Sequence, residues 1–453
     1  MWSFGNERMR CVLVICYDFP AIYAAGVIRT YQLARSLSRF GWQPVILTAQ
    51  ECVDREANIE ASDGALGSPK ITAAASRFLV PSQIDHRPTP KQSDHLVPTG
   101  DGPFRRLSRI AARLAVPDGK IGWLYPAVKR GLQIAHAYPI QVCFSVSPRP
   151  TAHLVAYRLA RRLNIPWVAD FALPWSDAHW LLDRPRFIGS LDQRVEGLVV
   201  RSAQHVTVAY VDLARNICAR YGPVWQEKLS VIPTGYEDDL FAQQSPPSPS
   251  KFTVVYPGNH FCEEGRDGEY FLKAVDEWID HAPRLKDEVE LVFIGKRDDA
   301  LLRHRLAMAH PEVVRIEPLM SHRECIRAIL AADACVVNTV GNRIPAKIYE
   351  CMRAGKWVLA LTDAGSDLEH LTRSYAKGLT ATPRDISTIK NTLQSTLQRC
   401  NLNEPNTTQR DSFLQEYSSK HSAETLSHIF NTSLTRTPIT TPLSPEATRH
   451  SIR

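Results

Sequence analysis

Lys347 and Glu350 stand one helical turn apart in Pro345-Ala346-Lys347-Ile348-Tyr349-Glu350. A helix there carries both on one face, while Ile348, Cys351 and Met352 form an apolar stripe that must turn toward a sheet. Lysine in a first turn opposes the helix dipole, and lysine ahead of glutamate is the poorer order for such a pair. A bound anion removes that penalty, because backbone N–H groups and the ammonium then converge on it. The chemistry this pattern predicts is anion recognition; the plainer reading of Lys-x-x-Glu is a surface ion pair. Two further candidates are Asp170, which ends a predicted strand where α/β sites gather, and His153, which opens a predicted helix. Both are candidate catalytic residues, set against a capping carboxylate and a helix-start polar residue. The run Glu237-Asp238-Asp239 invites a metal-binding reading, set against a solvated cluster.

Several familiar phosphate sites are excluded. No G-x-G-x-x-G follows the first predicted strand, so a dinucleotide fingerprint is absent. Gly295-Lys296 ends a strand but lacks the upstream glycine and following Ser/Thr of a P-loop.

The elements that must position these residues follow from the apolar pattern. Ala334–Asn338 is a short apolar run of the fully buried parallel kind, followed by a polar loop Thr339–Ile344. Pro345 suits a helical first turn, Gly355 suits its stop, and Trp357–Leu361 returns as the next strand. Near the start, Cys11–Cys16 predicts a strand, Tyr17–Gly26 a loop, and Val27, Tyr31, Ala34 and Leu37 recur at helical spacing before a strand at Pro44–Thr48. Further strands are predicted at Gln141–Val146, around Trp167–Phe171, at His205–Ala209, Leu229–Pro233, Phe252–Gly258, Glu290–Gly295 and Val313–Glu317. The fold class this predicts is α/β, with two Rossmann-like doubly wound domains facing across a cleft. Residues 1–240 form the first domain, with an irregular insertion at 51–103, and 241–251 a Pro/Ser-rich linker. Residues 252–405 form the second, 406–432 a helix that crosses back, and 433–453 a disordered Thr/Ser/Pro-rich tail.

Composition narrows the function classes. The 453 residues carry 54 basic and 47 acidic side chains, a formal net charge of +7, with no concentrated basic stripe of the kind that grips nucleic acid. Ten cysteines are scattered without C-x-x-C or Cys/His ligand spacing, so neither a metal site nor a disulfide framework is predicted, and a reducing cytoplasm fits. No apolar run is long enough to span a bilayer. At 104–114, Arg105, Arg106, Arg109 and Arg113 lie opposite Phe104, Leu107, Ile110 and Leu114, an amphipathic arrangement that suits peripheral contact with the inner face of the cell membrane or an ordinary solvated helix face.

The block from Pro345 to Ala360 resembles the P-x-K-x-x-E-x-x-x-x-G-x-x-V-L-A segment of family 4 retaining glycosyltransferases of the GT-B fold, bacterial cell-surface polysaccharide type. The resemblance implies that Lys347 contacts the diphosphate of a nucleotide-sugar and Glu350 the ribose hydroxyls. The family's second glutamate is replaced by Asn342. Tyr17-Asp18-Phe19-Pro20 and Arg29–Ala34 resemble the family's Y-x-F-P…R-x-x-x-L-A pattern, which makes Gly26 the glycine that admits the donor. Gly258 and Arg266 correspond to the glycine loop and cation that meet the departing diphosphate. Ser147–His153 is similar to S-x-P-P-x-x-x-H, and Trp167–Trp175 to W-V-x-D-F-R-D-P-W with Ala172-Leu173 in place of Arg-Asp. His153 and Asp170 are thereby placed on the acceptor side. Thr234–Asp238 is similar to P-N-G-x-D with Thr for Asn.

What the resemblance implies is transfer of a sugar from a nucleotide-sugar donor to a hydroxyl of a glycan or lipid-linked glycan, with retention and without a metal or other cofactor. Two other readings stay open. One is a binding or scaffold subunit that has lost turnover, motivated by Asn342, Ala172 and Leu173; the other is a sugar-nucleotide 2-epimerase on the same fold.

Overall fold

The computed structural model describes residues 10–19, 25–50, 52, 70–74, 114–178, 184–242, 250–263, 265–402 and 413–435. Two parallel sheets dominate. The first runs β1 (Arg10–Ile15), β2 (Trp42–Ala49), β3 (Lys70–Ala74), β4 (Ile140–Val146), β5 (Trp167–Phe171), β6 (His205–Val208) and β7 (Leu229–Val231), in spatial order β3-β2-β1-β4-β5-β6-β7. The second runs β8 (Phe252–Pro257), β9 (Val289–Ile294), β10 (Val314–Glu317), β11 (Ala334–Asn338), β12 (Trp357–Leu361) and β13 (Gly378–Ala381), in order β10-β9-β8-β11-β12-β13. Each order reverses once, between β1 and β4 in one sheet and between β8 and β11 in the other. These are the topological switch points beside which doubly wound folds bind ligands.

Both sheets are covered on both faces, which is why their strands read as continuous apolar runs. Side chains alternate sides along each strand: Leu13 and Ile15 join one core of the first domain, Val12, Val14 and Cys16 the other. In β11, Ala334 and Val336 face one core of the second domain and Cys335 and Val337 the opposite one.

The helices that matter for the site are α1 (Ala25–Leu37), α2 (Leu124–Ala137), α3 (Thr151–Leu163), α4 (Arg186–Ser202), α5 (Val211–Tyr221), α6 (Gly268–His281), α7 (Asp299–Leu306), α8 (His322–Ala331), α9 (Lys347–Arg353), α10 (Asp367–Ser374), α11 (Ile386–Asn401) and α12 (Ser419–Thr435). α9 begins at Lys347, two residues later than Pro345 predicts, and Gly355 closes it at φ 73°, a left-handed conformation that glycine enters freely.

The chain crosses between the domains twice. After β7, Gly235 adopts φ 72°, and a Cβ there would lie 2.2 Å from the Tyr417 carbonyl oxygen. That close approach lets Tyr236 and Ser418 form a parallel bridge, with Tyr236 N–H donating to Tyr417 (3.0 Å) and Ser419 N–H to Tyr236 (2.8 Å). α12 then packs on the first domain, where the Phe430 ring meets Trp42 and Phe144 edge-on at 5.2 and 5.5 Å.

Some expectations need amendment. β3 lies inside the stretch read as an irregular insertion, and α12 continues through Ser433–Thr435, where a disordered tail was expected. The basic segment 104–113, most of 51–103, residues 243–249 of the linker and 436–453 lie outside the described residues.

Candidate active site

The switch point of the second sheet is where most of the expected donor-side residues gather. Gly258 follows β8. Its N–H donates to Ile294 (3.0 Å), and a Cβ on Gly295 would fall 2.1 Å from the Gly258 carbonyl oxygen, so glycine at 295 lets the ends of β8 and β9 close together, while a Cβ on Gly258 would meet the Tyr256 ring at 2.5 Å. Asp298 secures the next stretch: it accepts from the N–H groups of Phe261 (2.7 Å) and Cys262 (2.9 Å) while its other oxygen caps α7 at Leu301 N–H (2.8 Å). Asn338, at the end of β11, donates from Nδ2 to the Phe261 carbonyl (3.0 Å). At Gly265, φ is 78° and a Cβ would lie 3.9 Å from Val340. The loop carrying half-buried Arg266 therefore runs alongside the loop that carries exposed Asn342 and leads into α9.

On α9, Glu350 is 2% exposed and both its oxygens are engaged. Lys347 Nζ donates to Oε2 at 2.8 Å, and His322 Nε2–H, from the first position of α8, donates to Oε1 at 2.7 Å. Burial pushes the Glu350 carboxyl up, but Lys347 and the His322 hydrogen bond outweigh it and hold it down at about 2. Burial works against the charge on Lys347 too, and Glu350 more than offsets it, so the ammonium is held above its usual range. Lys347 keeps about a quarter of its side-chain surface open, whereas Glu350 is almost wholly covered.

The first domain faces this region. Ile344, in the loop before α9, packs against cores of both domains. Tyr210, buried just after β6, lies within electrostatic reach of Arg343; burial pushes its hydroxyl up and Arg343 draws it back. Asp367, at the start of α10, accepts from Asp212 N–H at the start of α5 (2.5 Å) and from Arg215 (3.2 Å). At the first sheet's own switch point, Asp18 after β1 pairs with Arg149 after β4 at 3.0 Å.

The acceptor-side candidates are placed elsewhere than expected. Asp170 is fully buried: Arg29 forks onto it at 2.9 and 2.7 Å, Thr207 donates at 2.6 Å, and Arg29 also donates to the Ile232 carbonyl at 2.6 Å. Its oxygens are consumed in joining α1 to β5, β6 and the end of β7, and it offers none to a substrate. His153 is fully buried between Ser145, which it meets at 2.8 Å, and the rings of Phe171 and Trp175. Burial lowers its pKa to about 4, more than nearby Asp170 raises it. Gly26, expected in the loop after β1, sits in the first turn of α1. In the Glu237–Asp239 cluster, Asp238 and Asp239 are exposed, as a solvated cluster requires, and Glu237 is not. Glu237 is buried against Arg35 (2.5 Å), Asp238 pairs with Arg353 (2.8 Å), and Asp239 lies 3.4 Å from Arg35.

Two family models match consecutive parts of the chain: the glycosyl transferase 4-like domain over residues 26–235 and glycosyl transferases group 1 over 252–399. The chain is a glycosyltransferase. The first model spans β2 to β7 of the first sheet, and the second spans the whole second sheet and ends within α11. Among solved structures, sucrose-phosphate synthase from Thermosynechococcus elongatus is similar to this glycosyltransferase at a TM-score of 0.59 and 16% identity, over 93% of this chain and 98% of that one. A putative UDP-N-acetylglucosamine 2-epimerase from Listeria monocytogenes aligns at a TM-score of 0.52 and 12% identity, over 93% and 95% of the two chains. S. aureus MnaA, solved with UDP, aligns at 0.51 and 12%, over 92% and 95%. At these identities the likeness speaks to the fold, which is GT-B. No curated protein matches the sequence.

The sequence reading missed His322, Asp367 and the Asp18–Arg149 pair. His322 had a local signal, because Ser321-x-x-Glu324 is a capping box that fixes the next residue as the first of a helix. Asp367 had none, since its partners lie in the other domain.

Proposed function

We propose that the glycosyltransferase takes its sugar from a nucleotide-sugar and passes it to a hydroxyl of a glycan or lipid-linked glycan, with retention, in the assembly of a surface polysaccharide. The observation that carries the donor half of this reading is the Lys347–Glu350 pair at the switch point of the second sheet, with the lysine side chain partly open and the carboxylate held ionised. Lys347 turns from Glu350 to the diphosphate when donor binds, and Arg266, from the neighbouring loop, meets the same leaving group. Glu350 accepts the ribose hydroxyls.

As the glycosidic bond breaks, the anomeric carbon becomes cationic and negative charge collects on the diphosphate. Cations fixed in place beforehand lower that barrier without reorganising. Closure of the two domains excludes water, which would otherwise take the sugar in place of the acceptor. Gly26 and the loop that Gly258 opens border the donor, and Asn342 borders the sugar. No metal is needed in this scheme, because Lys347 and Arg266 supply the countercharge. The acceptor approaches from the first domain; if it is lipid-linked, contact of that domain with the inner membrane face through 104–114 brings the two together.

A thermal-shift panel of uridine, guanosine and adenosine diphosphates tests the donor site. One of the three raises the melting temperature of the wild-type protein, and Lys347→Ala abolishes the rise. A shift that survives Lys347→Ala, or the absence of any shift, removes the phosphate assignment. Incubating labelled donor with and without glycan acceptor separates transfer from epimerisation, since only the latter changes the sugar with no acceptor present.

A further inference from the structure

Glu350 poses a problem once Lys347 is given a second task. The carboxylate is 2% exposed, and in the structure it is neutralised by Lys347 at 2.8 Å. When Lys347 turns to a diphosphate, a buried carboxylate loses its cation at the moment it must hold the ribose. Such a group either takes up a proton, and then can no longer accept two hydroxyls, or finds another cation.

The other group in place is His322. Its Nε2–H donates to Oε1 at 2.7 Å, on the opposite oxygen from Lys347, so the two donors do not compete. Two features hold the imidazole there. Ser321 and Glu324 close a capping box around the start of α8, which fixes the backbone of His322. The packing of α8 beside α9 sets the distance to Glu350. The charged groups facing His322 are Glu350 and Lys347 from α9 and Glu237 from the segment joining the domains, the last held by Arg35 of α1. With Lys347 withdrawn, the imidazole faces the Glu350 carboxylate stripped of its cation, and Glu237, which Arg35 still holds.

We propose that His322 is a positioning residue for the donor site: it keeps Glu350 ionised and aimed at the ribose while Lys347 engages the diphosphate, by taking a proton from solvent onto Nδ1 as its Nε2–H bond to Glu350 persists. This rests on the reading of Lys347 and Glu350 as diphosphate and ribose ligands. It assigns the sensitivity of donor binding to pH to a side chain that touches neither the nucleotide nor the sugar.

The test is calorimetric titration with whichever of uridine, guanosine or adenosine diphosphate binds, at pH 8, in buffers of different ionisation enthalpy. At that pH the terminal phosphate is already ionised, so proton uptake belongs to the protein. Wild type takes up a measurable fraction of a proton on binding. His322→Gln, whose amide N–H can replace Nε2–H but cannot be protonated, binds about tenfold more weakly and takes up none. His322→Ala, with no donor at all, binds more weakly still. Equal affinity and equal proton uptake in wild type and His322→Gln overturns the proposal. Should His322→Gln fail to fold, the wild-type measurement suffices, since no uptake at pH 8 also overturns it. Lys347→Ala separates this inference from its foundation: if that substitution leaves binding intact, the donor-site reading itself fails. If it abolishes binding while His322→Gln behaves as wild type, only the role of His322 is lost.

Discussion

A carboxylate and an imidazole, both buried, titrate in ways that the fold dictates. Glu350 is held at about 2, below its ordinary value of 4.5. A depressed carboxylate contributes stability above its unfolded pKa and loses it as pH falls through the folded one. The contribution, about 3 kcal/mol from the size of the shift, is therefore constant from neutral pH down to about 5 and disappears toward pH 2. Urea midpoints of wild type and Glu350→Gln should differ by a fixed amount at pH 6–8 and converge below pH 4. His153 runs the same way from another cause. Burial lowers its pKa from 6.5 to about 4, so between those values the unfolded chain binds a proton that the folded chain refuses, and stability falls as pH drops through that window. His153→Phe keeps a ring against Phe171 and Trp175 and should flatten the stability profile between pH 6.5 and 4.

At the scale of elements, one buried ion pair joins α1 to three strands. Arg29→Met leaves Asp170 fully buried with its charge uncompensated and should cost about 3–5 kcal/mol, read as a lowered urea midpoint. The double change Arg29→Met with Asp170→Leu should recover much of that loss, because the uncompensated charge is gone. Neither change removes an atom accessible to substrate, so the recovered double variant should retain nucleotide binding.

The strands and the Lys347 helix were legible because each is local. Ala334–Asn338 and Trp357–Leu361 lie where the apolar runs place them, and Gly355 stops the helix as its position suggests. β3 was hidden because Lys70–Ala74 is short, weakly apolar and flanked by Ser- and Pro-rich sequence. The burial of Asp170 was hidden for a different reason. A carboxylate at a strand end looks the same in sequence whether it faces a cleft or an arginine, and that arginine lies 141 residues away.

For the whole molecule, the two domains meet, among the described residues, through the packing of Ile344 and through polar contacts at the ends of β6 and β12. Asp367 of one domain closes the start of α5 in the other. Asp367→Ala removes that contact, leaving both domains intact, and should shift the protein toward an open form. Small-angle scattering without ligand should show a larger radius of gyration, and saturating nucleoside diphosphate should restore the wild-type value. A second whole-molecule prediction concerns the crossing at Gly235. A Cβ there collides with the Tyr417 backbone, and φ 72° strains any other residue, so Gly235→Ala should cost at least about 1–3 kcal/mol and loosen α12 from its seat. Protease cleavage near 413–418 should quicken accordingly.

That seat also orders events during synthesis. The second domain has all of its sheet once the ribosome has passed Ala381, whereas the first, although begun earlier, waits for Phe430 to reach Trp42 and Phe144. The half of the molecule that emerges first is completed last, and until then its greasy flank along α1 stands open to whatever chaperone or neighbouring nascent chain arrives before its own helix does.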